Sequence, residues 1–342
     1  MTTTPKPDSA SRSSPVHVHY LGPEGSFTHQ AANDAVRALL PGEGGALLIA
    51  ERSASAIMSA VESGDGWGVI AWESNVEGYV VPNLDAMIDA RNIAAFARVG
   101  VPIAFDAFTR DGDSQQDPSA QREVSAHPHG LAQCSGYIER EGLRPVPAAS
   151  NAAACRDVEP GQVALGPRIC GSLYGLRTLD TEVQDYQGAR TEFLVMAQRT
   201  QAAEFLHGQE GLKSDGEFES IVAFIPLSTG PGVLADALDV LRDAGLNMTS
   251  FISRPIKGND GTYSFIATID AAPWQQRFRG ALKTMIARGD WVKTLAVYPR
   301  RERPNPPVTA WMLPDGGVSS GFTAAEDDRA MTNEYVSKEL LW

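Results

Sequence analysis

Residues 253–265 read SRPIKGNDGTYSF: one β-type run ends, the polar turn KGND follows, and a second β-type run begins. Working outward, LNMTSFISRPI (246–256) and GTYSFIATI (261–269) are rich in β-branched and aromatic residues, as paired strands are. Upstream stands ESIVAFIPL (219–227), another strand-type run, then the turn STGPG (228–232). Leu234, Ala237, Leu238 and Leu241 recur at helical spacing, and Gly245 stands where a left-handed C-terminal cap belongs. Downstream, Trp274, Phe278, Leu282, Met285 and Ile286 mark a second amphipathic helix, and WVKTLAVYP (291–299) supplies a last strand. The order βαββαβ is the split arrangement of ferredoxin-like folds.

The 342 residues exceed one ordinary domain, and the 43% hydrophobic content suits a globular core. Residues 16 to about 199 alternate strand and helix patterns. VHVHYLG, GWGVIAW, REVSAHP, LRPVPA, QVALGP and EFLVMA read as strands, which predicts a mostly parallel α/β architecture with ligands gathered beyond the carboxyl ends of the strands. The net charge of −13 argues against nucleic-acid or anionic-membrane partners and requires a locally positive pocket for any anionic substrate. No apolar run reaches the roughly 18 residues of a membrane helix, and the Ser/Thr/Pro-rich start is not a secretory signal, so a cytoplasmic protein is expected. Cys134, Cys155 and Cys170 are widely spaced and read as buried small hydrophobes. His17 with His19 and His127 with His129 have ligand-like spacing, but no cysteine or carboxylate cluster adjoins either pair in sequence, so no metal and no cofactor is expected.

Three loops beyond strands are the places for chemistry. In GPEGSFTHQ (22–30), Ser26 is placed to cap a helix starting near Phe27, leaving the free N–H groups of Ser26, Phe27 and Thr28 as a carboxylate pocket; Ser26 and Thr28 acting only as caps is the plainer reading. In ESNVEGY (73–79), Glu73, Ser74 and Asn75 either line a site or hydrogen-bond their own turn. In QGARTEF (187–193), Thr191 sits between Arg190 and Glu192 at a strand entry, a pattern that is ordinarily just a solvated strand end.

Taken together, YLGPEGSFTHQAA, the segment from Glu73 to Gly78, AHPHGLAQC, LYGL, and Thr191 with Phe193 resemble the catalytic domain of prephenate dehydratases in order and spacing. Pro231-Gly232-Val233-Leu234, Asn247-Met248-Thr249 and Ser253-Arg254-Pro255 resemble the regulatory ACT domain that follows it. Ile252 stands where that family usually has a glutamate. The resemblance implies a two-lobed, periplasmic-binding-protein-like catalytic domain over 16–200, a linker over 201–217 and a ferredoxin-like ACT domain over 218–300, between a disordered N-terminus (1–15) and a tail (301–342). Trp311, Met312, Leu313, Leu340, Leu341 and Trp342 of the tail are apolar enough to dock, against a default of loose chain.

The resemblance also implies a reaction: prephenate loses carbon dioxide and hydroxide to give phenylpyruvate, in phenylalanine biosynthesis. It assigns the chemistry to Thr191, Phe193 and the Glu73-Ser74-Asn75 cluster, and substrate binding to Ser26, Phe27, Thr28 and Arg190. An amino-acid effector such as phenylalanine would meet Gly232, Val233, Leu234, Asn247, Ser253, Arg254 and Pro255, and a homodimer or homotetramer is implied. Two departures fall on the chemistry. The family's Thr-Arg-Phe reads Thr191-Glu192-Phe193, and its Glu-Asn-Ser reads Glu73-Ser74-Asn75.

A glutamate facing a dianion at ~4 Å costs on the order of 4 kcal/mol per charge pair at an effective dielectric near 20. Three arrangements relieve this: Glu192 points away from the cleft, pairs with Arg190 on the opposite strand face, or is protonated. In the second, the start of the helix at Ser26, with Arg168 or Arg177, supplies the positive field. The third suggests a non-aromatising prephenate decarboxylase with Glu192 as proton donor, a class that resembles the same fold. A non-catalytic small-molecule sensor is the remaining alternative.

Overall fold

The computed structural model describes residues 15–40, 45–112, 122–208, 217–228, 230–259 and 261–300, and in the C-terminal stretch 308–309, 312–314, 316–318 and 333–341. The described residues up to Arg300 form one compact unit, and those beyond it a second. Nearly all of the expected disordered N-terminus, residues 209–216 of the expected linker, and Trp311 and Trp342 of the tail lie outside the described residues.

The first lobe opens with β1 (Val16–Leu21), α1 (Phe27–Leu39), β2 (Ala46–Glu51), α2 (Ala54–Ser63), β3 (Trp67–Ser74), β4 (Gly78–Tyr79), α3 (Val81–Asp89) and β5 (Ile93–Pro102). The chain then crosses to a second lobe: β6 (Asp106–Thr109), β7 (Glu123–Ala126), α4 (Pro128–Gln133), α5 (Ser135–Arg140), β8 (Arg144–Pro147), α6 (Asn151–Asp157), β9 (Val163–Gly166), α7 (Ile169–Tyr174) and β10 (Arg177–Asp180). It returns as β11 (Arg190–Gln198), which inserts antiparallel between β3 and β5. Two crossing segments thus join the lobes, the arrangement that leaves a cleft between them.

The second lobe holds a five-stranded sheet of order β10-β6-β9-β7-β8, parallel at β8, β7 and β9 and antiparallel beyond. In the first lobe, parallel pairing is confined to β2, β1 and β3. The helices cover both faces, as the alternation of patterns requires.

After β11 comes α8 (Arg199–Gly208), which occupies the first part of the segment read as linker and buries Ala202 and Leu206 in the first-lobe core. Then follow β12 (Phe218–Ile225), α9 (Val233–Asp243), β13 (Met248–Pro255), β14 (Tyr263–Ile269), α10 (Gln276–Ala287) and β15 (Trp291–Pro299). Their antiparallel order β13-β14-β12-β15 is the split βαβ arrangement read from the sequence, and Gly245 takes the left-handed φ of 65° after α9. This unit does not stand apart. β15 runs beside β5 through a parallel pair at Ala296 and Ala95, making one ten-stranded sheet with the first lobe.

Two cores flank that sheet. On one face Val18, Tyr20, Phe96, Phe193 and Val195 pack under α1 and α8; on the other, Ile57, Leu84, Met87, Leu194 and Met196 pack with Ile221, Ile266, Leu295 and Tyr298 of the βαββαβ unit. Each such side chain removed from water contributes about 1.5–3 kcal/mol, so the second core fastens the unit to the lobe. Polar ties reinforce it: Arg254 makes a two-pronged pair with Asp85 of α3 at 3.1 Å, and Lys293 Nζ donates to the carbonyls of Met87, Ile88 and Ala90 that end that helix. Tyr79 donates to Ser250 at 2.6 Å. In the C-terminal unit, α11 (Asn333–Leu340) is the one described helix, and Gly317 N donates to Glu339 at 2.9 Å.

Candidate active site

The loop after β1 is held from several sides. Gly22 N donates to the Glu51 carbonyl at 2.9 Å, and Ser26 caps α1 by accepting from His29 N at 3.2 Å. Helix α7 grips the same turn: Cys170 Sγ donates to the Gly25 carbonyl at 3.2 Å and Tyr174 Oη to the Glu24 carbonyl at 2.7 Å. Gly25 has φ 82°, and a Cβ there would come 3.0 Å from Cys170 Sγ, so conformation and space both demand glycine. His29 is buried, stacked on Tyr20 at 4.9 Å, and its Nδ1 accepts the Gly25 N–H at 3.0 Å. Burial holds this imidazole below its ordinary pKa, against an opposing pull from Glu24, and the acceptor role requires the neutral form.

Beyond this loop lies a cavity of about 300 Å³. Its first-lobe wall is Leu21, Gly22, Pro23, Ser26, Phe27 and Thr28; its second-lobe wall includes His127, Ser150, Asn151 and Pro167. Ser150 caps α6 by accepting from Ala153 N at 3.0 Å, and Asn151 Oδ1 accepts the His127 N–H at 2.9 Å. The starts of α1 and α6 therefore meet across one cleft, both with the positive end of the helix dipole toward it. Phe27 bridges the lobes, edge-on to Phe105 at 5.4 Å. The charged residues considered for this field are engaged elsewhere: Arg168 pairs with Asp106 at 3.2 Å and Glu182 at 3.6 Å, and Arg177 with Asp111 at 2.8 Å.

Strand β11 divides its polar residues between two faces. Thr191 shares a face with Phe193, which packs in the α1-side core, and it pairs in register with Ser74. It is half-buried and does not line the cavity; it lies at the same end of the sheet, two strands from β1 and about 13 Å beyond the level of Tyr20. Glu192 faces the other way. Its Oε1 takes the Arg190 Nε–H at 2.7 Å and its Oε2 lies 3.4 Å from Arg98, which in turn reaches Glu219 of β12 at 3.3 Å and stacks over Tyr298 at 5.0 Å. Gly100, opposite Glu192 on β5, leaves room for Arg190: a Cβ there would fall on the guanidinium.

Glu73 pairs in register with Glu192 and belongs to the same charged layer. Burial raises its pKa, partly offset by Arg98 and reinforced by Glu192. Ser74 Oγ accepts from Val76 N and Glu77 N at 3.2 and 3.3 Å, closing its own turn. Asn75 ties the ends of β3 and β11 together, donating to the Gly188 carbonyl at 2.9 Å and accepting from Arg190 N at 2.8 Å. The structure thus brings Ser26, Phe27 and Thr28 to the cavity and Thr191 and Ser74 to one neighbouring face. It leaves Glu73, Arg190 and Glu192 on the opposite face.

Comparison with known proteins matches this architecture. Residues 18–201 fit the family model described as prephenate dehydratase. A prephenate dehydratase of Amycolatopsis methanolica is 31% identical over 83% of this chain and 89% of its own length. The chain belongs to the prephenate dehydratase family. Among solved structures, a prephenate dehydratase of Arthrobacter aurescens in complex with L-Phe superposes with TM-score 0.66 at 24% identity, over 83% of this chain and 90% of that one. A chain described as a quorum-quenching acylase superposes with TM-score 0.68 at 22% identity, over 83% and 98%. At such identities the likeness is one of fold.

Within this prephenate dehydratase family chain, Ser150 and Asn151 of the second-lobe wall are not among the residues read as a site from the sequence, where His127 enters only for its spacing from His129 and within AHPHGLAQC. The available signal was a serine directly before the helical run NAAAC, the same cap pattern that marked Ser26. His29 was likewise passed over, although it lies inside the chosen loop. The effector candidates separate into two groups. Gly232, Val233 and Leu234 at the start of α9 share one end of the small sheet with Ser253, Arg254 and Pro255, whereas Asn247 is at the other end, its N–H on Asp270 at 2.8 Å.

Proposed function

We propose that this chain is a prephenate dehydratase that converts prephenate to phenylpyruvate, carbon dioxide and water. The observation that carries the reading is the division of β11: Glu192 and Arg190 satisfy each other away from Thr191, so the family's hydroxyl is kept without a negative charge beside it. The glutamate in place of the family arginine is then a structural substitution. Proton donation by Glu192 to the ring, as a decarboxylase requires, has no support from a carboxylate tied to two guanidinium groups.

In this reading the substrate's carboxylates rest on the starts of α1 and α6, at Ser26–Thr28 and Ser150–Asn151, where the N–H groups of Phe27 and Thr28, the Ser26 hydroxyl and the helix dipoles stabilise anions by about 0.3–1 kcal/mol each, or up to ~2 when partly buried. The Ser26 N–H itself is engaged with the Pro23 carbonyl at 3.3 Å. Thr191 donates a hydrogen bond to the departing hydroxyl. Much of the driving force is in the substrate, whose ring becomes aromatic, so alignment and exclusion of water suffice as the protein's share. Incubation with prephenate at neutral pH gives phenylpyruvate, read from its alkaline ultraviolet absorbance; carbon dioxide release without that chromophore contradicts the assignment.

The division into a catalytic region over 16–200 and an ACT region over 218–300 is part of the same proposal, with phenylalanine as effector at Gly232–Leu234 and Ser253–Pro255. Strand β13 is an edge of the sheet among the described residues. Antiparallel pairing of β13 with a second copy brings Asn247 of that copy beside Ser253–Pro255, which accounts for a split effector motif and for a homodimer. Because Arg254 holds Asp85 of α3, an effector competing for that guanidinium reaches the catalytic region directly. Among the described residues no helix is long and apolar enough to cross a membrane, in keeping with a cytoplasmic enzyme.

A further inference from the structure

At the end of the first lobe away from the cleft, the fold assembles a cluster that the sequence keeps in three separate segments. His17 and His19 alternate along β1 and present their rings on the face opposite Val18 and Tyr20, with centroids 6.4 Å apart. Asp65, in the loop between α2 and β3, reaches both: its Oδ1 lies 2.6 Å from His17 Nδ1 and its Oδ2 lies 3.4 Å from His19 Nε2. Glu51, at the end of β2, takes His19 Nδ1 at 2.8 Å.

The setting of His19 is informative. Its side chain is 3% exposed, and its ring nitrogens face only oxygen atoms: the Glu51 carboxylate on one side, and the Asp65 carbonyl at 2.8 Å and carboxylate on the other. If Nδ1–H donates to Glu51, Nε2 presents a lone pair toward the Asp65 oxygens, and a metal ion held between them satisfies all three. A carboxylate that fixes the outer nitrogen while the inner one points at oxygen and imidazole donors is the supporting arrangement found behind metal-bound histidines.

We propose that His17 Nδ1, His19 Nε2 and the Asp65 carboxylate bind a divalent transition-metal ion of the zinc class, with Glu51 orienting His19. The three donor atoms already lie within 4.8 Å of one another. A tetrahedral site with bonds of about 2.0–2.2 Å spaces its ligand atoms about 3.4 Å apart. The Asp65–His19 contact already has that spacing, the Asp65–His17 contact at 2.6 Å opens slightly, and the partly exposed His17 ring and Asp65 side chain have room to adjust while the Asp65 backbone stays anchored to Ala60 at 3.0 Å. Two imidazoles and one carboxylate, with water in the remaining position, suit Zn²⁺, Co²⁺ or Ni²⁺ over Mg²⁺ or Ca²⁺, which prefer all-oxygen sets. His17 precedes Gly22 by five residues, about 16 Å of extended strand, so the ion is structural and clamps β1, β2 and the α2–β3 loop.

The test uses the full chain stripped with a chelator and titrated with Co²⁺ and with Zn²⁺. One equivalent of Co²⁺ per chain is expected, with the visible absorption of a four-coordinate nitrogen-oxygen site, and Zn²⁺ raises Tm by several degrees as ligand linkage requires. His17→Ala and Asp65→Asn, both on partly exposed side chains, weaken Co²⁺ binding at least tenfold and abolish the Zn²⁺ shift while prephenate turnover is unchanged. His19→Ala also loses binding, but the exposed pair keeps the result readable if that variant folds poorly. Absence of binding at a hundredfold excess of either metal, or equal binding in the His17→Ala and Asp65→Asn proteins, overturns the proposal and leaves the cluster as a hydrogen-bonded link between β1, β2 and the α2–β3 loop.

Discussion

The two faces of β11 carry opposite kinds of polarity. On the α1 side Thr191 is a single neutral hydroxyl over an apolar floor that begins with Phe193; on the other side Glu192 joins Glu73, Glu219, Arg98 and the exposed Arg190 in a mostly half-buried charged layer that reaches into the βαββαβ unit. One residue step along a strand reverses the direction of a side chain, so adjacent positions of one motif can serve catalysis and architecture separately. A change of charge at the middle of the family motif is tolerable here because it occurs on the architectural face. It adds one carboxylate where two guanidinium groups wait.

If the Thr191 face does the chemistry, Thr191→Ala lowers kcat by about 10²–10³, the cost of losing one hydrogen bond to a group developing charge. Its Tm stays unchanged, because Thr191 is half-buried at a strand end. Steady-state kinetics with prephenate beside thermal unfolding checks both halves, and unchanged turnover breaks the comparison. The other face answers in stability. Oε2 of Glu192 and of Glu219 are buried without a hydrogen bond and rely on the Arg98 charge. Arg98→Met strands them, and a loss of about 3 kcal/mol is expected in urea unfolding, the cost of breaking a buried pair. A Glu219→Gln change in the same background recovers part of it.

A smaller effect belongs to the loop before α1. Burial lowers the His29 pKa, so the unfolded chain binds a proton first as pH falls. The stability contributed by neutral His29 is complete above about pH 6.5 and is lost progressively below it. Urea unfolding at a series of pH values shows this slope in the native protein, and His29→Gln flattens it. An identical slope in both shows that His29 does not hold the loop.

What could be read in the sequence follows from how strongly each segment signals. The βαββαβ unit was legible because its strands are β-branched and aromatic and its helices carry clear apolar stripes. Strands β2, β5, β6 and β10 were not singled out: β5 runs IAAFARVGVP, weak in β-formers and buried on both faces, and β10 is four exposed residues. The Ser26 cap was readable as a local pattern. The meeting of Ser26 with Ser150, or of His17 with Asp65, was not, because it depends on how separate segments are brought together in space. The Arg190–Glu192 pair was foreseeable from strand alternation, whereas Arg98 and Glu219 complete it from β5 and β12.

The smallest expected change tests the central claim most directly. Glu192→Gln keeps the shape of the charged layer, removes the one acid that a decarboxylase needs, and leaves Thr191 untouched. Products formed from prephenate by this variant and the native protein are compared side by side. Phenylpyruvate from both, at rates within a few-fold, is the result predicted for a structural glutamate. A native protein that releases carbon dioxide while its product stays non-aromatic, with that activity lost in the glutamine variant, contradicts it.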